Sequence, residues 1–254
     1  MQHKQTLDEL SQRYHLSIET IRRNFCKKVR VKWRPPTCVG SVNLVADATY
    51  FSRSDGVLVF RGNQQNLDIS FIKSETRKVF IRRFKQLDKL GIIFKSITLD
   101  GKKGIIKLCS ELYPNTPIQF CQFHQQQIIR RYITCKPKTH CGRQIQNLMK
   151  KMKVHDEESF TEALNNLKLE HDDFLQERNA SGQFKHRSVR SALRSLTTNM
   201  PYLFTYKKYP ELNIPNTTNS CDGSFGQWKY RVELHRGLKR YRRNKLIIYL
   251  LNRR

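Results

Sequence analysis

Acidic residues are scarce in this chain. Only 21 Asp and Glu stand against 48 Lys and Arg, a formal net charge of +27. The basic residues are spread along the whole length, so a short tail does not account for the excess. A field of this sign favours a polyanion as partner, and nucleic acid is the default reading. Long hydrophobic runs are also missing. The longest near the end, residues 246–251, is far too short to span a bilayer. There is no lipid-anchor motif and no basic helix with a clear membrane face, so no membrane partner is expected. No secretory signal opens the chain. The seven cysteines are odd in number, scattered, and include no Cys-x-x-Cys pair, which suggests reduced thiols in a cytosolic compartment. Internal repeats and low-complexity tracts are absent. What remains is 254 residues, 38 % hydrophobic, enough for one large domain or one domain plus a small module.

Residues 41–61 organise the rest. They read as a hairpin: an apolar run with Asp47 near its end, a turn over residues 52–56, and a β-rich return strand. A carboxylate inside a buried strand is costly unless something compensates its charge. Asp47 is therefore either a metal ligand or an Asp that caps the turn.

Ahead of the hairpin, residues 7–25 read as a helix-turn-helix. Thr6 caps the first helix, His15-Leu16 makes the turn, and Ser17 caps the second. Leu7, Leu10, Leu16, Ile18, Ile21 and Phe25 form the expected small core. Glu19, Thr20, Arg22 and Arg23 are left outward, where a recognition helix meets DNA. A plain helical hairpin is the alternative. Residues 31–40, with Pro35-Pro36, belong to a basic linker.

After the hairpin come a third strand (66–72), a helix (75–90), a strand (91–99) ending on Asp100-Gly101, a helix (103–112), a strand (118–123) and a helix (124–133). The helix at 75–90 turns Val79, Phe80, Phe84, Leu87 and Leu90 to one apolar side. The order is βββαβαβα, that of a mixed-sheet, ribonuclease-H-like α/β domain. Residues 135–210 are polar and helical, with helices expected at 144–153, 157–169 and 188–196. They read as an insertion, or as a second domain. A last helix from about Ser220 carries Asp222 and Lys229, seven residues apart and so on one face. Glu233 lies further along it.

In this strand order Asp47 and Asp100 fall on adjacent strands at one end of the sheet, and Asp222 arrives from the last helix. Three carboxylates together repel unless divalent cations relieve them. Hard oxygen ligands suit Mg²⁺ or Mn²⁺. Two such ions about 3.5–4 Å apart serve phosphodiester chemistry.

Four motifs, Leu44-Val45-Ala46-Asp47-Ala48-Thr49-Tyr50-Phe51, Ile97-Thr98-Leu99-Asp100-Gly101, Cys121-Gln122-Phe123-His124, and Asn216-Thr217-Thr218-Asn219-Ser220-Cys221-Asp222-Gly223 with Lys229 and His235-Arg236-Gly237-Leu238, give a resemblance. The chain resembles bacterial insertion-sequence transposases of the Mutator-like DDE/D, ribonuclease-H-like superfamily. The resemblance runs from about residue 41 to the C-terminus, with the helix-turn-helix as a common appendage. Many relatives carry a zinc-binding segment ahead of that appendage, and this sequence shows none. It implies a DNA transposase that cleaves and joins strands at the ends of a mobile element. Asp47, Asp100 and Asp222 would ligate two Mg²⁺ or Mn²⁺ ions and form the catalytic triad. Lys229, His124, His235, Arg236, Arg22 and Arg23 would contact DNA. The partners would be double-stranded terminal inverted repeats, target DNA and further copies of the chain, in the cytoplasm on the nucleoid. In the family the third acid is often Glu; here Asp222 makes the triad Asp-Asp-Asp, and Glu233 ranks below it.

The implied organisation is a helix-turn-helix at 1–30, a linker at 31–40, the first part of the catalytic domain at 41–134, the insertion at 135–210, and a final helix with a basic segment at 211–254. Two other functions stay open: a nuclease of this fold without strand transfer, and a non-catalytic DNA-binding protein derived from a transposase. Cys121-x-x-His124 also has the spacing of half a zinc site, which Cys135, His140 and Cys141 lie close enough in sequence to complete, although the absence of a Cys-x-x-Cys pair counts against it.

Overall fold

The computed structural model describes residues 6–27, 32–36, 40–234 and 238–252, without the side chains at 25–27, 103 and 222. The chain divides into two compact units. One comprises Met1–Pro35 with Gly226–Arg254, the other Pro36–Phe225.

The larger unit is built on a five-stranded mixed sheet. β1 (Ser41–Ser52) and β2 (Asp55–Gly62) form the expected hairpin, but its turn is tighter. Ser52 already pairs with Asp55, so only Arg53 and Ser54 turn the chain. β3 (Gln65–Ile72) continues antiparallel to β2. β4 (Ile93–Leu99) lies parallel to β1, and β5 (Ile118–Phe120) parallel to β4. The spatial order is β3-β2-β1-β4-β5. Parallel neighbours need crossovers, supplied by α3 (Arg77–Lys89) and α4 (Lys103–Leu112). This mixed α/β architecture is compatible with a ribonuclease-H-like fold.

α3 shows how a crossover is held. Thr76 Oγ1 accepts the Val79 N–H at 3.4 Å and caps the helix. Phe80, Phe84 and Leu87 recur at helical spacing and are buried. Phe80 and Phe84 each meet Phe60 of β2 edge-on, with centroids 5.7 Å apart. Burying such a side chain is worth about 1.5–3 kcal/mol. Leu90, expected on this apolar side, is 41 % exposed, because the helix stops at Lys89 and Leu90 becomes its C-cap.

β5 ends at Phe120, sooner than its sequence suggests, and α5 (Gln122–Ile133) follows at once. Cys121 is therefore a helix cap and not a strand residue. Next come α6 (His140–Lys150), α7 (Glu157–Glu170), α8 (Asp172–Gln176), α9 (Arg187–Leu203), α10 (Thr205–Lys208) and a 3-10 turn at Pro210–Leu212. These helices share one hydrophobic core with the sheet: Phe160, Leu196 and Phe204 belong to the same cluster as Leu44 and Phe60. A polar clasp adds to it at β5. Gln119 Nε2 donates to the Leu203 carbonyl at 3.0 Å, and Thr205 Oγ1 to that of Ile118 at 2.7 Å. α9 overruns its expected end at Leu196 and contains Pro201. Burial of Met200 and Leu203 offsets the hydrogen bond that proline removes.

The smaller unit holds α1 (Leu7–Tyr14), α2 (Ile18–Lys27), the second part of α11 (Asn219–Leu234) and α12 (Arg240–Asn252). Thr6 and Glu9 form a capping box on α1. His15 turns the chain at φ 51°, and Ser17 Oγ accepts the Thr20 N–H at 3.1 Å. Leu7, Leu10, Ile18 and Ile21 are half-buried, whereas Leu16, expected among them, is 42 % exposed in the turn. Ile247, Leu251 and Trp228 are buried. Among the described residues no helix is long and apolar enough to cross a membrane.

Candidate active site

In the parallel register of β1 and β4, Asn43 lies beside Ser96 and Val45 beside Thr98. Asp47 and Asp100 each stand two residues beyond this last pair, Asp100 being the first residue past β4. Strand side chains alternate with period two. Asn43, Asp47, Ser96, Thr98 and Asp100 therefore share one face, while Val42, Leu44, Ile97 and Leu99 join the core on the other. Asp47 is 5 % exposed, and its Oδ1 accepts the Ala48 N–H at 2.8 Å. Asp100 is followed by a turn on Gly101 at φ +79°. A Cβ there would fall 1.2 Å from Phe120 Cε2, so only glycine fits.

The polar face of the sheet holds the segment that leads into α11. Asn43 Nδ2 donates to the carbonyls of Leu212 and Asn213 at 2.7 and 3.1 Å, and Ser96 Oγ donates to Asn43 Oδ1 at 2.9 Å. One register step on, Thr98 Oγ1 donates to the Pro215 carbonyl at 2.8 Å. The Gln122 N–H then donates to the Asn216 carbonyl at 3.0 Å. Thr218 donates through its N–H and its hydroxyl to Cys121 Sγ, at 3.3 and 3.5 Å. Cys121 in turn is tied to the end of β4, its N–H donating to the Leu99 carbonyl at 2.8 Å. The segment thus runs along β4 to Cys121, which is itself bonded to Leu99, and α11 begins at the next residue after Thr218.

No protein-family model matches the chain, and no curated protein does. The chemistry of the site is therefore read from its own groups. Burial alone would push the Cys121 thiol up; hydrogen bonds with His124 and Thr218 outweigh it and hold the thiol below its ordinary value. The bond to Cys121 lifts the His124 imidazole to about 9 against the effect of burial, and the charges of Asp47 and Asp100 add to the rise. The cationic form of His124 is thereby favoured, with Asp47 and Asp100 contributing at longer range than Cys121. Thr218 Oγ1 stands 3.4 Å from its Nδ1. Two of the four sequence motifs are thereby joined directly.

Sequence reasoning passes over Glu75, which precedes the cap of α3. Its carboxyl is pushed up by burial and by the charge of Asp100. Tyr50 of β1 donates to Glu75 Oε1 at 3.2 Å, and its phenol is pushed up to about 12 by burial and by Glu75. Lys102 Nζ donates to the Glu75 carbonyl at 2.7 Å. Asn43, Ser96 and Thr98 were legible only as polar residues at every second position of apolar strands.

The remaining expected residues lie on α2, on α11 or outside the described residues. Asp222 lies in the first turns of α11, but its side chain is outside the described residues. Lys229 and Glu233 are exposed on the same helix, in the part belonging to the smaller unit. Arg22 and Arg23 are exposed on α2. His235 and Arg236 lie outside the described residues. The two carboxylates are hard oxygen donors, which suits Mg²⁺ or Mn²⁺ in kind. Among the described residues, no third His, Cys, Asp or Glu gathers with them within 4.8 Å. Nor does the zinc set considered from sequence assemble: His140 groups instead with Glu170 and His171.

Proposed function

We propose that the chain is a DNA transposase of the Mutator-like DDE/D type, with a ribonuclease-H-like core. One observation supports this reading above the others. A ladder of hydrogen bonds from Asn43, Thr98 and Cys121 ties residues 212–218, which lead into α11, to the two strands that run toward Asp47 and Asp100. Carboxylates drawn from two strands and one helix suit a two-ion phosphodiester site. The basic composition supplies the field that gathers DNA.

Asp47 and Asp100 would hold Mg²⁺ or Mn²⁺, with Asp222 as the third ligand. Two such ions held there would supply activation of the attacking oxygen and stabilisation of the leaving oxygen. The protein's own groups do the rest. Cys121 and Thr218 fix the His124 ring, whose positive charge attracts a scissile phosphate. Burial of Asp47 keeps its carboxylate in one position. Lys229 and the guanidinium groups of Arg22 and Arg23 contact DNA, the latter two at the element's ends. The chain acts as a homo-oligomer that joins two ends to target DNA.

The test is a cleavage and joining assay with Mg²⁺ on duplexes carrying the element's own ends. Asp47→Asn, Asp100→Asn and Asp222→Asn are each expected to abolish both products while leaving DNA binding in place. Glu233→Gln is expected to be mild. Nicked products without joined ones would leave a nuclease instead. A dead Glu233→Gln beside an active Asp222→Asn would overturn the assignment of the third acid.

A further inference from the structure

A second set of ligands lies in the helical region, on α6 and α7. Among the described residues, His140, Glu170 and His171 bring one ligand atom each within 4.8 Å of one another. His140 opens α6, directly after its cap Thr139, and Glu170 closes α7 with His171 as its C-cap. The His140 and His171 rings stand edge to face with centroids 5.3 Å apart. We propose that these three side chains bind a borderline divalent transition metal, Zn²⁺ foremost, and clip the start of α6 to the end of α7.

The chemistry of the donors separates this site from the carboxylates of the sheet. Two imidazoles and one carboxylate suit zinc, whereas Mg²⁺ takes oxygen ligands almost alone. Three protein ligands leave a fourth tetrahedral position for water. The spacing also fits. Metal–ligand bonds of about 2.0–2.2 Å put neighbouring tetrahedral ligands roughly 3.4 Å apart. His171 Nε2 and Glu170 Oε1 stand 3.7 Å apart, too far for a hydrogen bond and close to that spacing. His140, within 4.8 Å of both, needs to close by about 1.4 Å at most.

Both ligands at the end of α7 are tied to α6 through Gln144. Gln144, one turn after His140 on α6, donates through Nε2 to Glu170 Oε1 at 2.7 Å, and its Oε1 accepts from His171 Nε2 at 2.5 Å, a bond that a metal on Nε2 replaces as the ring gives up that proton. The His171 side chain is 11 % exposed and packs edge-on to Phe174, so its ring has little freedom. His140 and Glu170 are exposed, which leaves the site open to ions from solvent.

The experiment uses the full chain, treated with a chelator and then titrated with Co²⁺ and Zn²⁺. Wild type is expected to show weak visible bands of tetrahedral Co²⁺, displaced by one equivalent of Zn²⁺. Zn²⁺ affinity, measured by competition with a chromophoric chelator, should fall at least tenfold in His140→Ala and in Glu170→Gln. Neither substitution removes buried apolar surface, and circular dichroism reports that each variant is folded. An Asp47→Asn, Asp100→Asn protein should keep the cobalt bands unchanged. Equal zinc affinity in wild type and both variants would overturn the proposal. So would strong near-ultraviolet thiolate bands that survive in His140→Ala, since these would place the metal on cysteine.

Discussion

Gly101 sets the turn that carries Asp100, and Gly101→Ala tests how tightly that turn is determined. Two costs add. At φ +79° an L side chain loses about 1–2 kcal/mol to backbone strain. The new methyl would also stand 1.2, 1.8 and 2.1 Å from Cε2, Cδ2 and Cζ of Phe120, a ring with no exposure. Moving that ring in a packed core costs about 1–3 kcal/mol. The sum, about 2–5 kcal/mol, is a large share of the roughly 5–15 kcal/mol that holds a domain together. Urea unfolding is the assay, and a fall in midpoint on the order of 1–2 M is expected. Gly104 is the internal control. It sits in α4, where an added methyl would meet nothing within 4 Å, so Gly104→Ala should stabilise by about 0.4–1 kcal/mol. In a Phe120→Leu background, Gly101→Ala should cost less, with the backbone share of about 1–2 kcal/mol remaining. If Gly101→Ala and Gly104→Ala unfold at the same midpoint, the turn is not held by Phe120 and the reasoning fails.

Three further outcomes are expected. At pH 8 a thiol reagent should modify exposed Cys135 but not Cys109, which is fully buried and whose thiol desolvation pushes up to about 12. That burial favours the folded state below the ordinary thiol value of 9.0 and gives the advantage up as pH rises toward 12, so Cys109 labelling should begin only with alkaline unfolding; labelling of the folded protein as fast as Cys135 would refute it. Lys229→Ala should weaken binding to all DNA ends alike and flatten the slope of log affinity against log salt by roughly one unit, and identical slopes would remove Lys229 from the interface. Removing residues 1–30 should erase preference for the element's ends while keeping non-specific affinity, read by competition between specific and scrambled duplexes.

Local signals in the sequence determined a good deal. Thr6 and Ser17 cap the helices they were expected to cap, because capping is settled within four residues. The spacing of Phe80, Phe84 and Leu87 gave α3 its buried face, and the apolar alternation around Asp47 gave β1. Three consecutive strands followed by alternating helices and strands already imply a mixed sheet with β1 and β4 side by side. Tertiary structure alone decided the rest. Leu16 and Leu90 obey the periodicity of their helices yet lie open, since each stands where its helix has already ended. Pro201 marks a helix end by propensity, and burial of Met200 and Leu203 carries α9 past it. The contacts that build the site join Asn43 to Leu212, Thr98 to Pro215 and Cys121 to Thr218. Glu75 enters beside Asp100, and His140 meets His171, by the same kind of encounter. Such pairs are separated by tens of residues to well over a hundred. Neither partner's neighbours in sequence constrain them, because the register of the sheet and the packing of the shared core fix the distance only once the chain has closed on itself.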